Sequence, residues 1–189
     1  MQIDNDIQSS LEVLEKGGLI LYPTDTIWGI GCDGTNEKAV EKIYLLKNRN
    51  IEKSMIILLA DEKDILKYVD NHRVPVFDFI KGITKPVTVI YSQGKNLAKN
   101  LLNADGSIGI RVVSDPFCVM LIKKFGNPLV STSSNVSGYP PPALFSDIDI
   151  EIKKGVDYIV QHRQGDLVPA TPSTVIKLND DDTYTVIRS

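Results

Sequence analysis

The sequence predicts one α/β domain over residues 1–189, a twisted, mixed open sheet flanked by helices. Three observations carry that prediction. Short apolar runs of strand length alternate with segments of helical periodicity along the whole chain. No stretch rich in Gly, Ser or Pro divides it, and no internal repeat is visible. Finally, 189 residues that are 42% hydrophobic and 24% charged suit one globular core.

The elements follow in order. Ile7, Leu11 and Leu14 recur at helical spacing after Asp4, and Gly17-Gly18 stop that helix. Leu19 to Tyr22 is a short apolar strand, ended by Pro23, which fixes φ and donates no hydrogen bond. Ile27 to Ile30 resume an extended apolar run. Asn36 caps a helix in which Ala39, Val40, Ile43 and Leu46 share a face. Met55 to Leu59 reads as a strand buried on both faces. Asp61 caps a helix using Ile65, Leu66 and Val69, and a short one follows at Val76 to Ile80. Val87 to Tyr91, Ser107 to Val113 and Leu129 to Ser131 are strands. Between the last two, Asp115-Pro116 opens a helix that Gly126 closes. Ser146 to Lys154 reads as helical, then strands at Tyr158 to Val160, Thr174 to Leu178 and Tyr184 to Ile187, with Asp180-Asp181-Asp182 at a hairpin tip. Strand order is not encoded in this pattern.

Composition narrows the function. A net charge of −3 gives no global attraction for nucleic acid, so such binding would need a local patch. Cys32 and Cys118 lie far apart without C-x-x-C pairing and read as reduced thiols packed as small hydrophobes. No signal peptide is visible in Met1 to Asp6, and no apolar run is long enough to span a bilayer, so the expectation is a cytoplasmic protein without a membrane partner. His72 and His162 stand at no metal-ligand spacing, no P-loop is present, and no nucleophile–His–acid set is indicated; no metal site is expected.

Three segments concentrate chemistry. Tyr22-Pro23-Thr24-Asp25-Thr26-Ile27-Trp28-Gly29-Ile30-Gly31 places hydroxyls and a carboxylate at a strand terminus, with two glycines leaving room for a close backbone or ligand. The letters Gly29 to Gly34 fit G-x-G-x-x-G, but that fingerprint needs a direct turn from strand into helix; here the glycines sit in an extended run and Glu52, the acidic residue about 20 positions on, falls in a basic loop. Lys47, Arg49 and Lys53 converge before a buried strand; they are either helix-terminal cations or an anion site with an arginine fork. Pro128 to Gly138 sets five hydroxyls and Asn135 after an apolar strand, at the end where open α/β sheets bind ligands, although Ser and Thr there can also cap their own backbone.

Together these segments resemble the YrdC-like family of threonylcarbamoyl-AMP synthases in its short, single-domain form. The PTDT-x-x-G-x-G-like run, the K-x-R pair Lys47/Arg49 and the S-x-S-x-N-x-S-G run Ser131 to Gly138 carry the resemblance, with Asn50 replacing a usual proline and Ser134 a usual alanine. Weaker matches extend it: Lys85-Pro86-Val87-Thr88, where Thr84 and Lys85 replace Pro and Gly; Gly109-Ile110-Arg111-Val112; Pro172-Ser173-Thr174-Val175; and a closing Arg188. The resemblance implies a nucleotidyltransferase that joins L-threonine, bicarbonate and ATP into threonylcarbamoyl-AMP, releasing pyrophosphate, for N6-threonylcarbamoyladenosine in tRNA. Mg²⁺ then arrives on ATP, the substrate, and tRNA or tRNA-modification proteins are the macromolecular partners. By the same resemblance Lys47 and Arg49 are catalytic; Arg49, Lys53, Thr88, Ser133, Asn135 and Arg188 bind ATP; and Thr26, Arg111, Thr132 and Ser173 bind threonine. Two rivals are an RNA-binding module of the same fold and a dinucleotide-binding protein. The first lacks interleaved aromatics and a basic stripe; the second rests on the G-x-G-x-x-G letters alone.

Overall fold

The computed structural model describes residues 2–49, 55–70, 85–179, 181 and 183–189. Lys53, His72, Thr84 and the short helix expected at Val76 to Ile80 lie outside the described residues. Helix α1 (Gln2–Glu15) is followed by strands β1 (Ile20–Tyr22) and β2 (Gly29–Gly31), helix α2 (Glu37–Leu46), β3 (Ile56–Leu59), α3 (Ile65–Tyr68), β4 (Val87–Tyr91) and β5 (Ile108–Val112). Helix α4 (Pro116–Phe125), β6 (Leu129–Ser133), α5 (Ile150–Lys154), β7 (Tyr158–Ile159), β8 (Thr174–Leu178) and β9 (Tyr184–Arg188) complete it.

Among the described residues the strands form one mixed sheet in the order β7-β1-β2-β6-β3-β5-β4-β8-β9. The β1–β7, β3–β5 and β4–β8 pairs are parallel and the others antiparallel. Residues in register share a face, and the face alternates along each strand. On one face Val130, Ile57, Ile110, Val89 and Ile176 form a continuous row across five neighbouring strands, and all are buried. That row is the centre of the core. The opposite face carries Gly29 and Ser133 on one pair, Ser131, Ile56, Gly109 and Ile90 across four strands, then Thr88 beside Val175. Small and polar side chains there leave a depression instead of a packed layer.

Local chemistry explains the helix ends. Asn36 accepts from the backbone N–H groups of Lys38 and Ala39, and Asp115 from that of Cys118, with Pro116 in the first turn of α4. Gly126 ends α4 at φ 79°, a left-handed cap that glycine adopts without a Cβ clash. Helices α1 and α4 pack on one another beside the sheet.

The structure departs from the sequence reading in three places. Asp61 caps a 3-10 turn, Glu62–Asp64, and only Ile65–Tyr68 is α-helical; Val69 has left the helix to bridge Gly94. Ser146 to Lys154 is not one helix: a 3-10 turn at Phe145–Asp147 precedes α5, because Asp149 leaves helical geometry (φ −55°, ψ 140°) to cap it. Strand β6 runs on to Ser133, since Thr132 and Ser133 pair with Ile30 and Gly29 before the hydroxyl-rich turn begins.

Candidate active site

The depression on the polar face is closed by loops into a cavity of about 330 Å³, at the lower end of the range for small-molecule sites. Of the residues the sequence singled out, Thr26, Arg49, Thr88, Arg111, Thr132, Ser133, Ser173 and Arg188 line it. Ile27, Trp28, Gly29, Met55, Ile56, Ser131, Pro141, Pro172 and Val175 complete the walls. Ser131 has a signal in sequence, the period-two alternation with Ser133, but the prolines act only through the paths of distant loops.

Gly31 is required by a close approach. A Cβ there would sit 2.7 Å from Cε1 of Tyr22 and 2.8 Å from the carbonyl oxygen of Val130, so the fully buried Tyr22 ring lies across the backbone of β2. Because Gly29 and Gly31 are paired strand residues and the next helix starts at Glu37, the G-x-G-x-x-G letters form no strand-to-helix phosphate turn.

The Thr24–Thr26 turn is wired through one hydroxyl. Thr24 Oγ1 donates to the Ile27 carbonyl at 2.8 Å and accepts the Thr26 N–H at 3.0 Å. Its one proton is thereby used, so the Thr26 hydroxyl, 3.0 Å away, must donate to it. Thr26 is left to face the cavity as an acceptor, suited to an amine or hydroxyl of a ligand.

Three guanidinium groups converge on the cavity. Arg111, 4% exposed, pairs through Nη2 with Asp25 Oδ1 at 3.2 Å and approaches Thr24 Oγ1 at 3.5 Å. Its Nε is buried with no hydrogen-bond partner among the described residues. Asp25, absent from the sequence-predicted set, is thus the counter-ion that orients Arg111; its only signal was a lone carboxylate in an otherwise uncharged stretch. Arg49 is half-buried, and desolvation lowers its pKa. Arg188 is lowered by desolvation and then by the charge of Arg111. Mutual repulsion of this kind is relieved by an anion.

Arg188 reaches the cavity because of an irregularity. Val175 pairs with Arg188 but Ile176 pairs with Val186, so one extra residue of β9 is accommodated between them. In regular alternation Arg188 would face the same side as Val186, away from the cavity; the bulge turns it round. Its Nε and Nη2 donate to the Ser173 carbonyl at 3.1 and 2.9 Å, and the Ser173 hydroxyl lies 2.8 Å from that of Thr88.

Lys47 and Asn135 do not line the cavity. Lys47 is fully buried, and its ammonium donates to the carbonyls of Ser133 and Asn135, bracing the hydroxyl-rich turn from behind. Burial pushes its pKa down to about 7, with the Arg49 charge adding to the shift. Asn135 donates through Nδ2 to the carbonyls of Val136 and Tyr139. Both residues brace a wall of the cavity through the backbone carbonyls they bond. Among the described residues no group of His, Cys, Asp and Glu could hold a metal ion, and no helix is long and apolar enough to cross a membrane.

The Sua5/YciO/YrdC family model, described as "Telomere recombination", matches residues 12–189. The chain belongs to this family. A threonylcarbamoyl-AMP synthase from Pseudoalteromonas translucida (strain TAC 125) is 32% identical over 178 residues, 93% of this chain and 94% of that protein. E. coli YciO superposes with a TM-score of 0.83 at 30% identity, covering 100% of this chain and 90% of YciO. P. abyssi Sua5, crystallised with L-threonine, gives a TM-score of 0.84 at 20% identity, a likeness of fold; it covers 96% of this chain, which spans 53% of that protein. The family expected from the PTDT-like, K-x-R and S-x-S-x-N segments and the mixed open α/β sheet expected from the alternation of strands and helices are therefore both borne out. Within this Sua5/YciO/YrdC domain those three segments, far apart in sequence, meet around the cavity, the first and third lining it and Arg49 completing the wall.

Proposed function

We propose that the protein is a threonylcarbamoyl-AMP synthase, a nucleotidyltransferase acting on L-threonine, bicarbonate and ATP. The observation that carries this reading is the convergence of Arg49, Arg111 and Arg188 on one hydroxyl-lined cavity, in a chain whose relatives bear that name. The reaction combines the threonine amine with bicarbonate, losing water, to give a carbamate. A carbamate oxygen then attacks the α-phosphorus of ATP, and the bond to the pyrophosphate leaving group breaks. Bicarbonate, the carbamate, ATP, pyrophosphate and the adenylate product are all anionic, and threonine brings a carboxylate. The work falls to positioning, charge neutralisation and exclusion of water more than to a nucleophilic side chain.

Arg111, with its unpaired Nε, takes the threonine carboxylate, while Thr26 accepts from the amine or hydroxyl and Thr132 and Ser173 close that end. Arg49 neutralises bicarbonate and the phosphates; Thr88, Ser133 and Arg188 hold the nucleotide, together with Lys53. Lys47 and Asn135 hold the Ser133 turn in place. Mg²⁺ enters on the ATP phosphates as part of the substrate. The product would supply tRNA modification through partner proteins in the cytoplasm. The test is incubation with ATP, L-threonine and bicarbonate: pyrophosphate and threonylcarbamoyl-AMP should form only when all three are present. ADP release independent of threonine would refute the reading.

A further inference from the structure

We infer that Arg163 is a positioning residue for the amino-acid end of the cavity, acting through the Thr24–Thr26 turn. Nothing in the sequence singled it out, and it does not line the main cavity. It lies behind the wall that Thr26 and Trp28 present there, on a smaller recess whose other side is formed by the same two residues.

Two observations made independently of each other point to it. The first is backbone strain. Arg163 has φ 68°, in the left-handed region where a Cβ is disfavoured and glycine is the usual occupant. Such a conformation persists only where the surroundings over-determine it. Here the preceding residues are clamped: the N–H groups of Gln161 and His162 each donate to the carboxylate of Asp6, both at 2.9 Å. Asp6 is itself buried in α1.

The second is where the guanidinium goes. Nη1 donates to the Thr24 carbonyl at 3.0 Å and to Asp115 Oδ2 at 3.0 Å, and Nε donates to Asp166 Oδ2 at 2.7 Å. The other oxygen of Asp115 caps α4, and the Cys118 thiol of that helix donates to the Pro23 carbonyl at 3.3 Å. Consecutive carbonyls of the turn, Pro23 and Thr24, are thus both held from outside the cavity. Thr24 is the residue whose hydroxyl sets the proton direction of Thr26 and touches Arg111. Moving its backbone would move both of those groups, while leaving Arg49, Ser133 and Arg188 on other elements unaffected.

This inference rests on the reading that the Thr26–Arg111 end receives L-threonine. Its test compares Arg163→Gly and Arg163→Lys with the wild-type full-length chain. Glycine suits φ 68° and removes the strain, which offsets part of the cost of the lost bonds to Asp115 and Asp166, so the variant should stay folded while the anchor is lost. The expected result is an L-threonine Kd and KM about tenfold higher with kcat and the ATP Kd within about twofold, the loss a misplaced contact brings. Lysine, which lacks the planar fork, should be intermediate, and millimolar guanidinium ion should partly restore threonine binding to the glycine variant alone. Equal loss of threonine and ATP affinity, or no loss of either, would overturn the inference. If the wild-type chain does not bind threonine, the synthase reading fails separately. Amide exchange at Thr26 then decides: faster exchange in Arg163→Gly upholds the anchor, and unchanged exchange refutes it.

Discussion

Replacing Lys47 by methionine separates the energetic cost of a buried charge from the bonds it makes. Met has nearly the same length and no charge, so it fills the space. The carbonyls of Ser133 and Asn135 lose their donor, at about 1–3 kcal/mol for each buried acceptor left without one. Against this, the charged form of Lys47 is disfavoured by burial, its pKa lying near 7 instead of 10.5. An unfolded lysine keeps its proton throughout that interval, whereas the folded group gives its proton up near the lower value. The unfolded chain therefore binds more protons there, and wild-type stability rises with pH above about 7. One proton corresponds to about 1.4 kcal/mol per pH unit, so between pH about 7 and about 8.5 the gain is on the order of 1–2 kcal/mol. The interval stops there because the buried thiols of Cys32 and Cys118, pushed above the ordinary 9.0, act in the opposite direction once unfolded thiols ionise. Lys47→Met loses the slope. Urea denaturation of both proteins at the two pH values should show the variant less stable, with the deficit larger at the higher pH by about 1–2 kcal/mol. A deficit independent of pH would mean that the two carbonyls hold the ammonium charged at its ordinary pKa, and would refute the reasoning.

Other perturbations test the walls of the cavity. Gly31→Ala drives a Cβ to 2.7 Å from the Tyr22 ring, and overpacking of this kind should cost about 1–3 kcal/mol, read as a fall in melting temperature. Arg111→Lys keeps the charge but cannot pair with Asp25 and a carboxylate as a fork; L-threonine affinity should fall by about 1.5–3 kcal/mol in calorimetry, and an unchanged Kd would remove Arg111 from the amino-acid end. Arg188→Ala should weaken ATP binding by only about 0.5–1 kcal/mol, because exposed charges are screened, with little change in melting temperature. Unchanged ATP affinity would take Arg188 out of the site.

Much of the fold could be read because burial leaves a local trace. Ala39, Val40 and Ile43 at helical spacing became the buried side of α2, and the unbroken apolar run ending at Leu59 became β3 between two neighbours. The candidate site was partly readable for a similar reason: hydroxyls clustered after an apolar strand are unusual enough to stand out, and Ser133, Thr132 and Thr26 do line the cavity. What the sequence left unresolved depends on contacts between distant segments. Lys47 and Arg49 are two residues apart, yet one is buried behind the wall and the other stands in it; no spacing rule separates them. The direction of Arg188 depends on a bulge set by the pairing of β8 with β9, and a bulge of one residue has no signature in Thr-Tyr-Thr-Val-Ile. Arg163 had none either, since its left-handed backbone is paid for by partners 48 and 139 residues away.

The placement of cations follows from the same physics. A cavity for anions needs positive charge in front, but guanidinium groups brought together repel one another; the pKa of Arg188 is lowered chiefly by desolvation and further by the charge of Arg111. The repulsion grows if the groups approach freely and falls if each is held at a distance by its own partners. Arg111 is held by Asp25 and Arg188 by the Ser173 carbonyl. Among the described residues no carboxylate lines the cavity, so its turns are not pinned from inside by ion pairs, which would cancel the field. They are pinned from outside instead, one by Lys47 through two carbonyls and the other by Arg163 through one. Backbone carbonyls accept these bonds without bringing a negative unit charge, so the walls become rigid while the net positive potential inside is kept for the ligand.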